Sequence, residues 1–184
     1  MSLESTHGTY MTQRQLESTL WAAANALRGP VEPGDFKAYV FPVMFFKWIS
    51  DTWDFHHATA LEEWGDELTE EIEADYQPFT IPDGCHWSDV HNKTTNVGVE
   101  LNSALQRIEQ ANPDLTGVFG DVNWANKDRL PETALVTLLD TFHEVQLDAD
   151  HVRGDMLGAA YEYLLREFAE ASGKKAGEFF TPRH

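Results

Sequence analysis

One segment limits the folds open to this chain more than any other, the apolar run from Phe36 to Trp53. Phe36, Tyr39, Val40, Val43, Met44, Phe45, Phe46, Trp48 and Ile49 leave it almost no polar face. A helix that is apolar all round has to be covered on every side, so the segment predicts a central, buried helix. Tyr, Val and Phe also favour strands, and that reading stays open. The length of the run and the Lys47–Asp51 spacing of four residues lean to a helix. Pro42 inside it predicts a kink or a short first turn.

The rest of the chain reads as helices that could cover such a centre. Thr12 and Gln15 stand in capping-box register. Leu16, Leu20, Ala24 and Leu27 then recur at helical spacing up to a stop at Gly29-Pro30. Trp21 beside that stripe is expected in the core rather than on a partner. Leu61 to Ala74 predicts an amphipathic acidic helix carrying Glu62, Glu63, Asp66, Glu67, Glu70, Glu71 and Glu73. Pro78, Pro82 and Gly84 break the next stretch, where Phe79-Thr80-Ile81 has room for one short strand. Asn96 can cap a helix carrying Val97, Leu101, Ala104, Leu105 and Ile108, which Asn112-Pro113 ends. Asp114 to Leu130 is an irregular connector whose Phe119 and Trp124 are expected to fold back onto the bundle. Pro131 opens a helix with Leu135, Leu138, Leu139 and Phe142 as its stripe. A last helix begins at Asp155 and stops at Ser172-Gly173. The expected fold is mainly α, a bundle with irregular connectors.

Metal sites are poorly served. His56 and His57 are adjacent, so on a helix they point apart. Cys85, His86 and His91 lack a fourth ligand and regular spacing, so a structural loop with Trp87 tucked inward is expected instead. The acidic run from Glu62 has no apolar pocket in which paired carboxylates could act as acid and base.

The formal net charge is -18, from 13 Lys+Arg against 31 Asp+Glu among 184 residues. Phosphate binding depends on clustered cations, so this balance argues against a principal DNA groove. The apolar fraction of 42% supports a real core. One cysteine, Cys85, fits a reducing cytoplasm, and no leader or membrane-spanning run is visible.

The C-terminal stretch carries the most specific signal. In Gly177-Glu178-Phe179-Phe180-Thr181-Pro182-Arg183, Thr followed by Pro is a helix-start signature, yet no helix body follows. The stretch resembles the Gly-Glu/Gln-Phe/Tyr-Phe/Tyr-Thr-Pro-Arg motif of the modification (M) subunits of type I restriction–modification systems. Those are N6-adenine DNA methyltransferases that use S-adenosylmethionine. The helix Asp155–Ala169, Leu20–Gly29 and Phe45–Asp51 are similar to the family in the same order. The resemblance runs from about Leu16 onward.

The polar, patternless front reads as a disordered lead at 1–11. A helical N-terminal domain is expected at 12–173, and the resemblance implies at 174–184 a linker into a Rossmann-like methyltransferase domain. It implies that Glu178, Phe179, Phe180, Thr181, Pro182 and Arg183 line S-adenosylmethionine. Free N–H groups at a helix start suit the methionine carboxylate, and aromatic rings suit the ligand's apolar parts. It implies as partners a specificity (S) subunit, a second M subunit, a restriction (R) subunit and double-stranded DNA, with the helical domain helping the M subunits close around DNA. The glycine-rich strand turn and the Asn/Asp-Pro-Pro-aromatic motif of such enzymes do not occur here. These 184 residues alone are therefore expected not to methylate. The alternative from another class is a free-standing acidic helical protein that mimics DNA, motivated by the charge. Its weakness is that the acidic residues are dense only between Glu62 and Asp75.

Overall fold

A computed structural model describes residues 11–148, together with 151, 152, 156, 159 and 162. Six helices form the described part: α1 (Gln13–Leu27), α2 (Phe36–Trp64), α3 (Glu70–Tyr76), α4 (Trp87–His91), α5 (Val97–Ala111) and α6 (Glu132–His143). Short 3-10 turns at Pro33–Asp35, Gly65–Glu67 and Pro113–Leu115 join them. Among the described residues there is no strand, only an isolated bridge between Arg28 and Val31.

The central helix is the expected one, and it is longer. α2 buries Phe36, Val40, Val43, Met44, Phe46 and Ile49, and it takes Pro42 within its length. Burying a large apolar side chain contributes about 1.5–3 kcal/mol, so this helix dominates the core. α1 packs most extensively on α6. It contributes Leu16, Leu20, Ala23, Ala24 and Leu27 to the core, and α6 contributes Leu135, Leu138, Leu139 and Phe142. The capping box forms as read: Gln15 N donates to Thr12 Oγ1 at 3.1 Å, and Thr12 N donates to Gln15 Oε1 at 2.7 Å. Phe119, Trp124 and Leu130 fold the connector onto the bundle. Trp124 meets the Tyr39 ring edge-on at 5.5 Å.

Several local expectations are corrected. The acidic run is not one helix. α2 continues through Leu61 to Trp64 and stops at Gly65 (φ 54°), and Thr69 then starts α3 by accepting from Ile72 N. Phe79–Ile81 does not pair as a strand. Asn112 supplies a sheet-like pair of bonds in its place: Thr80 N donates to Asn112 Oδ1 at 2.9 Å, and Asn112 Nδ2 donates to Thr80 O at 2.7 Å. A side-chain amide thereby satisfies a backbone that has no neighbouring strand. Asn96 holds the N-cap position of α5 in a left-handed conformation, with no side-chain cap bond. Trp21 stands off the buried stripe and is 37% exposed. At the other end, Met156, Ala159 and Glu162 are helical, as expected, and the rest of that helix lies outside the described residues.

Candidate functional site: a polar seam on the central helix

A polar seam on α2 runs through Lys47, Ser50 and Asp51, with Ser50 and Asp51 three and four residues after Lys47, and on to His57, seven after Ser50. Each has a long-range partner. Lys47 Nζ, 4% exposed as a residue, donates to Asp51 Oδ2 at 2.7 Å and to the carbonyl of Val145. Asp51 Oδ2 also accepts from Leu147 N at 2.9 Å. Burial pushes the Asp51 carboxyl above its ordinary value, and the Lys47 charge works against that rise. The pair thus serves as a buried staple between α2 and the segment that leaves α6.

That segment is itself tied down further on. Asp148, 2% exposed, faces the His151 ring at 3.0 Å. Its carbonyl accepts from His151 N and Val152 N, and His151 O accepts from Met11 N at 2.8 Å. His151 therefore lies beside the start of α1.

Aromatic and imidazole rings extend the seam. Ser50 Oγ accepts from Trp87 N at 3.0 Å, which seats the one-turn α4 on α2. Lys47 Nζ lies 5.7 Å from the Trp87 ring centre, and Trp87 Nε1 donates to His143 Nδ1 at 3.0 Å. Indole nitrogen can only donate, so this bond needs His143 Nδ1 unprotonated. The His143 ring stacks on His91 at 3.8 Å, and His91 Nε2 meets Asp140 Oδ1 at 2.8 Å. His57 stacks on Trp53 and pairs with Glu73 at 2.7 Å.

These contacts place the residues considered for metal binding. Cys85 is buried with Sγ near Asp83 O, His86 is edge-on to Trp53, and His91 turns to Asp140. Trp87 is tucked inward, as expected. His56 and His57 contact different rings, Phe55 and Trp53. Among the described residues no group of three or more His, Cys, Asp or Glu could hold a metal ion. Nor, among them, is any helix long and apolar enough to cross a membrane. Glu178, Phe179, Phe180, Thr181, Pro182 and Arg183 lie outside the described residues. A groove of about 360 Å³ opens between α5 and the connector, lined by Asn102, Glu109, Asp121 and Trp124 among others. The Glu109 carboxylate there is already engaged by the amides of Gly117 and Phe119.

Two family matches flank the segment that leaves α6. Residues 16–142 match the model described as HsdM N-terminal domain. This chain belongs to that family. Residues 152–184 match a second model, N-6 DNA Methylase. The HsdM-type relatives agree along nearly the whole chain. It is 25% identical to the type I restriction enzyme MpnII methylase subunit of Mycoplasma pneumoniae, over 91% of this chain and 37% of the relative. It is 23% identical to the MjaIX methylase subunit of Methanocaldococcus jannaschii, over 96% of this chain and 35% of the relative. Among solved structures, the type I restriction-modification system methyltransferase subunit from Streptococcus thermophilus aligns with a TM-score of 0.70 at 25% identity, covering 86% of this chain and 39% of that one. The chain thus spans little more than a third of the length of these relatives.

Proposed function

We propose that the chain is the helical N-terminal portion of a type I restriction–modification methyltransferase subunit. The whole subunit transfers a methyl group from S-adenosylmethionine to N6 of adenine in DNA. One observation carries the reading: within a single chain, an HsdM N-terminal domain match is followed directly by an N-6 DNA Methylase match. Glu178 to Arg183 fall inside the second match and would form one edge of the cofactor site. Thr181-Pro182-Arg183 would offer helix-start N–H groups to the methionine carboxylate, and Phe179 and Phe180 an apolar wall. The bound cofactor supplies the electrophilic methyl group.

The helical portion serves assembly and closure around DNA, with a specificity subunit, a second modification subunit and a restriction subunit as partners in the cytoplasm. Target reading belongs to the specificity subunit, which fits a charge of -18 on these 184 residues. The DNA-mimic alternative gains nothing from the relatives, and the acidic run is split between the end of α2, a turn and α3.

Calorimetric titration tests the reading. S-adenosylmethionine is expected to release binding heat with the full-length subunit and none with residues 1–184. A full-length subunit that does not bind the cofactor would count against the assignment.

A further inference from the structure

One family match ends at 142 and the other begins at 152, which leaves nine residues between them. Nine residues of free chain would let the parts they join move independently. The described ones among them are not free. Val145 O and Leu147 N are both held by the buried Lys47–Asp51 pair, which neighbours Asp148, while Asp148 and His151 close the segment on itself and His151 O accepts from Met11 N. The pair is also more than an intrahelical salt bridge. Lys47 presents a donor to a carbonyl, and Asp51 presents an acceptor to an amide, so each polarity is matched to the strap and not only to the other side chain.

We infer that Lys47 and Asp51 are positioning residues for methyl transfer: they clamp the backbone at Val145 and Leu147 and so fix how the methyltransferase part is set against the bundle. This rests on the methyltransferase reading above. Cofactor binding is local to the methyltransferase part and does not need the clamp. Transfer to DNA needs the reacting groups aligned while the helical domain is closed on its partners, and small misplacements are costly there. The clamp therefore acts on turnover and not on cofactor affinity.

The test exploits the polarity. In the full-length subunit assembled with its specificity subunit, Lys47→Glu/Asp51→Lys keeps an ion pair within α2. It sets a carboxylate against the Val145 carbonyl and an ammonium against the Leu147 amide. A second variant, Lys47→Met/Asp51→Leu, replaces the pair by apolar groups, a change that buried ion pairs commonly tolerate. The expected result is a turnover at least about tenfold lower, with the dissociation constant for S-adenosylmethionine within about twofold of wild type. The Leu147 amide should exchange hydrogen faster while amides of α1 and α6 stay protected. Lys47→Arg, which still donates to both partners, should keep most of the turnover.

Unchanged turnover in a folded variant would overturn the inference. So would a joint loss of turnover and cofactor affinity, or failure of both double variants to fold, because the pair would then be only a structural element. A wild-type assembly that transfers no methyl group would instead remove the underlying reading, a result visible before any variant is made.

Discussion

Lys47→Met is expected to cost the helical domain about 3–5 kcal/mol at neutral pH, the usual penalty for removing one partner of a buried pair. Methionine fills nearly the same volume, so the loss comes from Asp51, left 7% exposed without its counter-charge, and from Val145 O without its donor. The pH dependence identifies the cause. Burial already raises the Asp51 carboxyl above its ordinary value, and Lys47 is the largest influence opposing the rise. Without Lys47 the folded-state value climbs further. A carboxyl whose folded value lies above its unfolded one costs nothing at a pH below both, where it is protonated in either state. The cost grows as pH rises through the interval between them and is complete above the folded value. The deficit of Lys47→Met relative to wild type is therefore largest at neutral pH and shrinks on acidification. Adding Asp51→Asn to Lys47→Met should recover part of the loss at neutral pH and flatten that dependence. Urea unfolding across this pH range reads both effects. A pH-independent deficit would mean that packing, not the stranded charge, is responsible.

Gly98→Ala is the second large effect, and it runs against local propensity. Alanine is favoured over glycine in a helix by about 1 kcal/mol, and Gly98 lies in the first turn of α5. A Cβ there would stand 2.1 Å from Trp124 O and 2.8 Å from the carbonyl carbon, both backbone atoms. No rotamer change relieves such a clash, so α5 and the connector must separate. Separation strains the Asn102 Oδ1 bond from Trp124 N, 2.9 Å long, and the Trp124–Tyr39 contact. A net loss of about 3 kcal/mol is expected, the upper end for overpacking, with a changed near-ultraviolet signal from Trp124. A gain in stability would mean that the close approach of α5 to the connector does not exist in solution.

The elements that were legible in the sequence share a cause. The stripes of α1, α5 and α6 repeat a hydrophobic period that only a helix satisfies, and Thr12 with Gln15 is a local device that works wherever a helix starts there. The apolar run of α2 announced its own burial. What escaped depends on partners far away in sequence. Lys47 and Asp51 stand four apart, a spacing that leans to a helix and says no more, yet their other partners are nearly a hundred residues downstream. Asn112 reads as a helix stop, and nothing local says that its amide will replace a missing strand beside Thr80. Trp21 stands next to the stripe, which suggests the core, but the rotation of about 100° from Leu20 leaves it 37% exposed. The one-turn α4 is too short for periodicity to show. Its position comes from Ser50 and from the Trp87 ring packed on Phe46. Glu178 to Arg183, proposed to face the cofactor, stand out only by resemblance, since so short a motif carries no period.

The central claim, that this bundle belongs to an adenine-directed methyltransferase, is tested most directly on DNA itself. The full-length subunit and its specificity subunit would be incubated with DNA and S-adenosylmethionine bearing a deuterated methyl group. The DNA would then be digested and its nucleosides weighed by mass spectrometry. The account predicts the label on N6 of adenine. Label on cytosine, or no label on any base, would contradict it.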